Sequence, residues 1–296
     1  MLSARENWFL LFSIPFYTIL ICIEIMVSNW TGKKLYTIKD VLQNIVLTLM
    51  NAGLDAILRI LFYVSILTWA YNHRFFQIEN VYVYWILLFL LEDIAFYIMH
   101  RIDHFCRIFW AVHLTHHSSQ QFNLSTGFRS SVFQPVYRFI YFLPIVLLGF
   151  KPIDILFMYS ITQTYGIIVH TQYIKKLPLF IEAIFVTPSH HRVHHASNII
   201  YLDKNMGMCL IIWDRLFGTF QHELPNEPVV YGLTTRVQQP HNTLNHVAYE
   251  WKNIYMDMKK DLPFVTKLKY LLNPPGWSHD GSSKTAVQLR QAMDNK

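Results

Sequence analysis

The sequence predicts an all-α fold: a multi-span helical membrane protein with a cytosolic, histidine-rich helical cap that holds a di-metal centre. Three observations predict it. Of the 296 residues, 53% are hydrophobic and only 15% charged, where soluble domains carry about a quarter charged. Long apolar runs recur from Trp8 to Val169. Ten of the fifteen histidines fall between His100 and His195, at spacings that repeat.

The apolar runs are Trp8–Val27, Val41–Tyr71, Val81–Met99, Tyr137–Phe150 and Pro152–Val169. The first is longer than a signal-peptide core and no small-residue cleavage site follows it, so it reads as a retained span. The second would be about 46 Å long as a helix, more than one crossing needs. Asp55 and Arg59 sit four apart inside it, which predicts either a tilted helix with an internal pair or a bent one. The last two runs are each slightly short and meet at Lys151-Pro152, the pattern of a helical hairpin. The count of spans stays at four or five. Residues 1–99 are expected to hold the first spans, 100–225 the histidine-box region with the hairpin at 137–170, and 226–296 amphipathic helices and a polar tail.

Charge sets the orientation. If the segment after Met99 is cytoplasmic, Lys33, Lys34, Lys39, Arg101, Arg107, Arg129, Lys175, Lys176, Arg192 and Lys204 all fall inside. Only Arg5 and Arg74 remain near span ends on the other face. This asymmetry places the histidines on the cytoplasmic side of the membrane. The excess of 25 Lys+Arg over 19 Asp+Glu is too small and scattered for nucleic acid, and it suits loops beside anionic headgroups. Cys22, Cys106 and Cys209 are far apart and read as small apolar fillers, neither a disulfide framework nor a metal site.

Toward the C-terminus, Trp251, Ile254, Tyr255 and Met258 repeat at helical spacing, and Phe264, Val265, Leu268, Leu271 and Leu272 do so after Pro263. With Lys252, Lys259, Lys260, Lys267 and Lys269 on the polar side, these predict helices lying on the bilayer or packed on their own domain. The tail Ser278–Lys296 is polar and is expected to be poorly ordered.

Spacing makes the histidines informative. His100 and His104 are i, i+4, so on a helix they share one face. His113, His116 and His117 are i, i+3, i+4, and His191, His194 and His195 repeat that pattern, while His170 stands alone at the end of the last run. Imidazole is a neutral ligand suited to iron, zinc and copper. Nine rings exceed what one ion takes, since a zinc site uses about four ligands. Shared between two six-coordinate ions, nine ligands leave positions open, as an oxygen-activating pair needs. His190 would point about 100° away from His191 on a helix. His73, His222, His241, His246 and His279 lack companions and read as surface residues. Ligating imidazoles need acceptors that fix their tautomer, for which Asp93, Asp103, Asn123, Asn198, Asp203 and Glu223 are the nearest candidates.

The boxes H-R-I-D-H, H-L-T-H-H and H-R-V-H-H, in this order after apolar spans, resemble the fatty acid hydroxylase / sterol desaturase superfamily over roughly His100 to Gln221. The stretches HLTHHSSQQFNLSTGFRSS, TPSHHRVHH, DKNMG, IIWDRLFGTF and PPGW are similar to its alkylglycerol monooxygenase-like branch and bacterial sterol desaturase relatives. The resemblance implies a non-haem di-iron lipid hydroxylase using O2, with His100, His104, His113, His116, His117, His170, His191, His194 and His195 as ligands. It also implies a membrane lipid substrate of alkyl, acyl or sterol type, and an external electron donor, tetrahydrobiopterin in that branch. A further histidine found near the intervening position in some hydroxylases is missing here, where Gly166 and Ile174 flank His170 at four residues. A desaturase would use the same boxes. A zinc hydrolase would want a carboxylate base as in H-E-x-x-H, which is absent. A metal transporter would place its histidines at mid-bilayer rather than beyond span ends.

Overall fold

The computed structural model describes residues 4–235 and 242–295, so His241 lies outside the described residues. Thirteen α-helices carry the fold, and among the described residues there is no strand, only isolated bridges pairing Phe185 with Leu210 and Ala196 with Tyr231. Helix α1 spans Ala4–Trp30 and α2 spans Ile38–Leu58; a π-helical turn, Arg59–Tyr63, joins α2 to α3, Val64–Asn72. The long second run is therefore one helical rod, and its irregular turn begins at Arg59, whose side chain is bonded to Asp55 at 2.6 Å. Then come α4, Val81–Phe105, and α5, Arg107–His117, followed by a 3-10 turn at Leu124–Phe128. The hairpin is α6, Pro135–Leu147, and α7, Pro152–Ile168. Beyond it lie α8 (Leu179–Ile184), α9 (Pro188–His194), α10 (Ile212–Phe217), α11 (Thr243–Met258), α12 (Phe264–Leu272) and α13 (Ala286–Asp294).

Among the described residues, three helical stretches are long and apolar enough to cross a membrane: Asn7–Trp30, Ile38–Asn72 and Val81–Phe105, with mean hydropathy 2.2, 1.8 and 1.8. The hairpin helices, at 13 and 17 residues, are shorter than a usual crossing. Their job in the fold is packing. Phe142, Val146, Ile155 and Met158 from the hairpin bury against Leu67 of α3 and Leu88 of α4. Each such side chain contributes about 1.5–3 kcal/mol when taken from water, and in a bilayer close contact takes over that role. The outward faces of α1 and α2 stay apolar and uncovered, with Phe12, Ile19, Leu49 and Ile57 exposed.

Of the two alternatives for the C-terminal helices, α11 takes the packed one, against α5: Arg107 donates to Glu250 and Asp257 at 2.6 Å each, and Ile254 is buried. The region departs from expectation in two places. His246, expected at the surface, is buried on the same helix. The tail is not formless, because Thr285 and Gln288 form a capping box that starts α13, and Arg290 donates to the carbonyl of Leu202.

Candidate metal centre

Four pieces of chain carry the histidines to one place. Helix α4 ends with His100 and His104 one turn apart on one face. Extended backbone at Cys106 (φ −131°, ψ 118°) breaks the rod, and α5 restarts with His113, His116 and His117 in its last turns. Helix α7 stops at Ile168, so His170 sits just past its end. Helix α9 begins with Pro188 after Thr187, and presents His191 and His194, with His195 as its C-cap.

The nine rings gather into two groups. Ligand nitrogens of His100, His104, His113, His117 and His194 lie within 4.8 Å of one another, and so do those of His116, His170, His191 and His195. The groups touch: the His117 and His195 rings stack with centroids 4.5 Å apart. Within the first group Nε2 of His113 lies 3.0 Å from that of His100 and 3.2 Å from that of His117. Within the second, Nε2 of His170 lies 2.9 Å from that of His191 and 3.1 Å from that of His195.

Outer hydrogen bonds decide which nitrogen faces inward. A carbonyl or carboxylate oxygen can only accept, so an imidazole nitrogen facing one carries the proton and leaves the lone pair on the other. Nδ1 of His100 donates to the Met206 carbonyl (2.8 Å), His116 to Arg129 (2.9 Å), His170 to Gly166 (2.7 Å) and His194 to Lys204 (3.0 Å). His104 Nδ1 donates to the Asp203 carboxylate at 3.1 Å. Five Nε2 lone pairs therefore point into the cluster. His170 Nε2 has one lone pair and two close nitrogen neighbours, more than a single linear hydrogen bond can satisfy. The buried Nε2 atoms of His104 and His194 have no hydrogen-bond partner in the protein.

Burial keeps the rings neutral. His113, His117, His191, His194 and His195 are held well below the ordinary histidine range, first by loss of solvent and then by their neighbouring imidazoles. Burial likewise lowers His116 to about 4, against the Arg129 carbonyl bond that raises it. Neutral imidazole is the ligating form.

This donor set fits metal ions. Metal–nitrogen bonds of about 2.1 Å at right angles keep neighbouring nitrogens about 3.0 Å apart, which matches the spacings above, and a group of five exceeds a tetrahedral site. A cavity of about 110 Å3 runs along the cluster and is lined by His100 and His113 of one group and His116, His170 and His191 of the other. A second cavity, of about 340 Å3, touches His104, His117, His194 and His195 from the opposite side.

Residues 85–219, from α4 to just past α10, match the family described as fatty acid hydroxylase. This stretch is a fatty acid hydroxylase domain. It is 37% identical to human alkylglycerol monooxygenase over 94% of this chain and 61% of that protein. It is 29% identical to an ornithine lipid hydroxylase of Rhizobium tropici, over 51% of this chain and 46% of the relative. It is also 27% identical to mouse lathosterol oxidase over 44% and 42%. The chain spans about three fifths, or less, of the length of these curated relatives. No solved structure matches it.

All nine histidines singled out by spacing lie inside this fatty acid hydroxylase domain and meet in the two groups. His190 does not join them. Its Nδ1 accepts the Thr187 backbone N–H at 3.3 Å, completing the box that caps α9. Of the predicted acceptors, Asp203 faces His104, and Asp103 lies 3.6 Å from His113 Nδ1 while holding Tyr137 (2.7 Å) and Gln134 (3.1 Å). Three others do not reach a ring. Asn123 caps the 3-10 turn, Asn198 clamps Glu227 and Val230, and Glu223 pairs with Arg192 at 2.6 Å. Asp93 acts one step back, accepting from the backbone of Cys209 and Leu210 and from Trp213.

Sequence reasoning missed the loop that serves three rings at once. Residues 203–207 give Asp203 to His104, the Lys204 carbonyl to His194 and the Met206 carbonyl to His100. Asp203 and Asn205 hold positive φ (53° and 56°), a conformation these side chains tolerate. Asp214 grips the loop by accepting from Met206 N (2.7 Å) and Gly207 N (2.8 Å). The sequence signals were Asp203 as a candidate acceptor and the DKNMG stretch itself, neither of which shows that its backbone carbonyls serve His194 and His100.

Proposed function

We propose that the protein is a membrane oxygenase that hydroxylates a C–H bond of a lipid. The observation that carries this reading is the convergence of nine imidazoles into adjoining groups of five and four, five of the rings lining one cavity beside apolar helices. In the proposed site His100, His104, His113, His117 and His194 hold one iron, and His116, His170, His191 and His195 hold the other. When bound, the iron pair supplies dioxygen activation, with electrons from an external donor.

The chain's own residues do the rest. The carbonyls of Met206, Lys204, Arg129 and Gly166 and the carboxylate of Asp203 keep the Nδ1 protons outward, so each lone pair stays aimed through the reaction. All-nitrogen ligation leaves no thiolate to be oxidised. Phe96, whose ring packs edge-on 5.2 Å from that of His100, and Met208 line the same cavity, where they exclude water and hold a carbon chain against the site. Lys/Arg asymmetry supports a cytoplasmic position for this cluster. The hairpin α6–α7 is read as dipping into the membrane rather than as two full crossings.

Hydroxylation is favoured over desaturation because relatives 37% and 29% identical are named monooxygenase and lipid hydroxylase. Desaturation is the second reading, supported by a Delta(7)-sterol 5(6)-desaturase that is 26% identical over 46% of this chain. The test is purified protein loaded with ferrous iron and assayed for metal content and oxygen uptake, with lipid extracts of producing cells profiled under labelled oxygen. Two irons per chain and one labelled oxygen atom in a lipid are expected. Stoichiometric zinc without oxygen consumption would overturn the reading.

A further inference from the structure

The cavity along the histidines is not closed at its far end. It shares Asn51, Ser130, Arg138, Tyr159, Gln163 and Ile167 with a groove of about 430 Å3 between α1, α2 and α7. The outer part of that groove is formed by Ile14, Tyr17 and Ile21 of α1 and Ala52 of α2, on two helices apolar enough to cross a membrane. A lipid chain thus has a lateral way in to the rings.

The middle of this passage is polar, and nearly all its donors are already used. Asn51 donates its amide to the Ser131 carbonyl at 2.7 Å. Arg138 donates to the Tyr159 hydroxyl at 2.7 Å and to Asp55, whose carboxylate also takes Arg59. Gln163 is different. It lines both the groove and the inner cavity, and its side-chain Nε2 is buried with no hydrogen-bond partner. Folded proteins seldom leave a buried amide donor unmet, and a hydrocarbon chain cannot meet it.

Resting on the oxygenase reading above, we propose that Gln163 determines substrate class by donating a hydrogen bond to an oxygen acceptor on the lipid. The site then selects a lipid with a hydroxyl or carbonyl oxygen in the passage and rejects a bare hydrocarbon of equal length, which would leave the amide desolvated and unpaired. His170 follows seven residues later, about 10 Å along the helix axis. The oxygen is therefore held about two turns from the imidazole groups, and the carbon chain beyond it lies in the cavity they line.

The test is equilibrium binding to the full chain in nanodiscs, scored as saturable uptake above empty nanodiscs, with labelled hexadecanol and hexadecane as probes. Wild type is expected to prefer hexadecanol. Gln163→Met, which keeps the length and removes the donor, is expected to weaken hexadecanol about five- to tenfold, the size of one hydrogen bond. Hexadecane, which no longer leaves a buried donor unpaired, should bind the variant more tightly than wild type, which also shows that the variant is folded. Unchanged hexadecanol affinity, or equal loss of both probes, would overturn the proposal. The assay needs neither iron nor oxygen, so its failure is separate from a failure of metal loading and oxygen uptake.

Discussion

His104 and Asp203, 99 residues apart in sequence, meet with Nδ1 and Oδ1 3.1 Å from each other. A carboxylate accepts and cannot donate, so the contact fixes the His104 tautomer and turns its unpartnered Nε2 toward the other four rings of its group. Loss of such an outer partner typically costs about 10- to 100-fold in metal affinity. Asp203→Ala is therefore expected to weaken metal retention by that order in a chelator competition. Asp203→Asn, which keeps an acceptor oxygen, should lose less. Retention equal to wild type in both variants would show that Asp203 does not orient the ring.

His116 and His73 make a matched pair of substitutions. His116 belongs to the four-histidine group and donates to the Arg129 carbonyl, whereas His73 is an exposed residue at the end of α3. His116→Ala is expected to lose the metal of its own group and all oxygenase activity while the five-histidine group stays loaded. His73→Ala should leave both unchanged. Metal analysis alongside product formation decides between them, and equal activity in the two variants would sink the ligand assignment.

The three boxes were legible because helical periodicity turns i, i+3, i+4 spacing into a shared face, and the ends of α4, α5 and α9 keep that periodicity. Most of the acceptors behind them were not. Four of the five are backbone carbonyls delivered by chain folding, such as those of Met206 and Lys204, and a backbone oxygen has no residue signature; the fifth, the Asp203 carboxylate, was among the candidates. Nearness in sequence misled in the same way: Asn123 follows the second box closely yet caps a turn, while the partner of His104 is distant. His190, expected to point about 100° away from His191, takes part in the capping box of α9 instead. For α13 the signal was present, since Thr285 and Gln288 have capping-box spacing, but polar composition outweighed it.

Gly127 is the place where backbone must come close to a ligand candidate. A Cβ there would lie 3.0 Å from Ile167 Cα and 3.1 Å from His170 Nδ1. The first neighbour is helix backbone and cannot swing aside, so Gly127→Ala must push the 3-10 turn away from α7 or displace the His170 ring from the Gly166 carbonyl. The expected outcome is selective loss of metal from the four-histidine group with about 1–3 kcal/mol of lost stability. A variant that melts as wild type and keeps full metal would show that this contact is slack.

Acid should destabilise the metal-free fold, and the sign follows from the buried rings. An unfolded histidine binds a proton near about 6.5. In the folded chain burial holds His116 down at about 4, and His113, His117, His191, His194 and His195 lie well below the ordinary value. Below about 6.5 the unfolded chain therefore binds more protons than the folded one, and stability falls as pH falls. Stability from these neutral rings is fully present above about 6.5 and drains away toward about 4. Bound metal would compete with the same protons and should shift the loss to lower pH. Thermal unfolding of the detergent-solubilised, metal-free protein checks this: the midpoint should drop steadily between about pH 7 and pH 5. Replacing His191 and His195 together by phenylalanine, which cannot titrate, should shrink that slope. A level midpoint across the range in wild type would mean that the rings are not held neutral by burial.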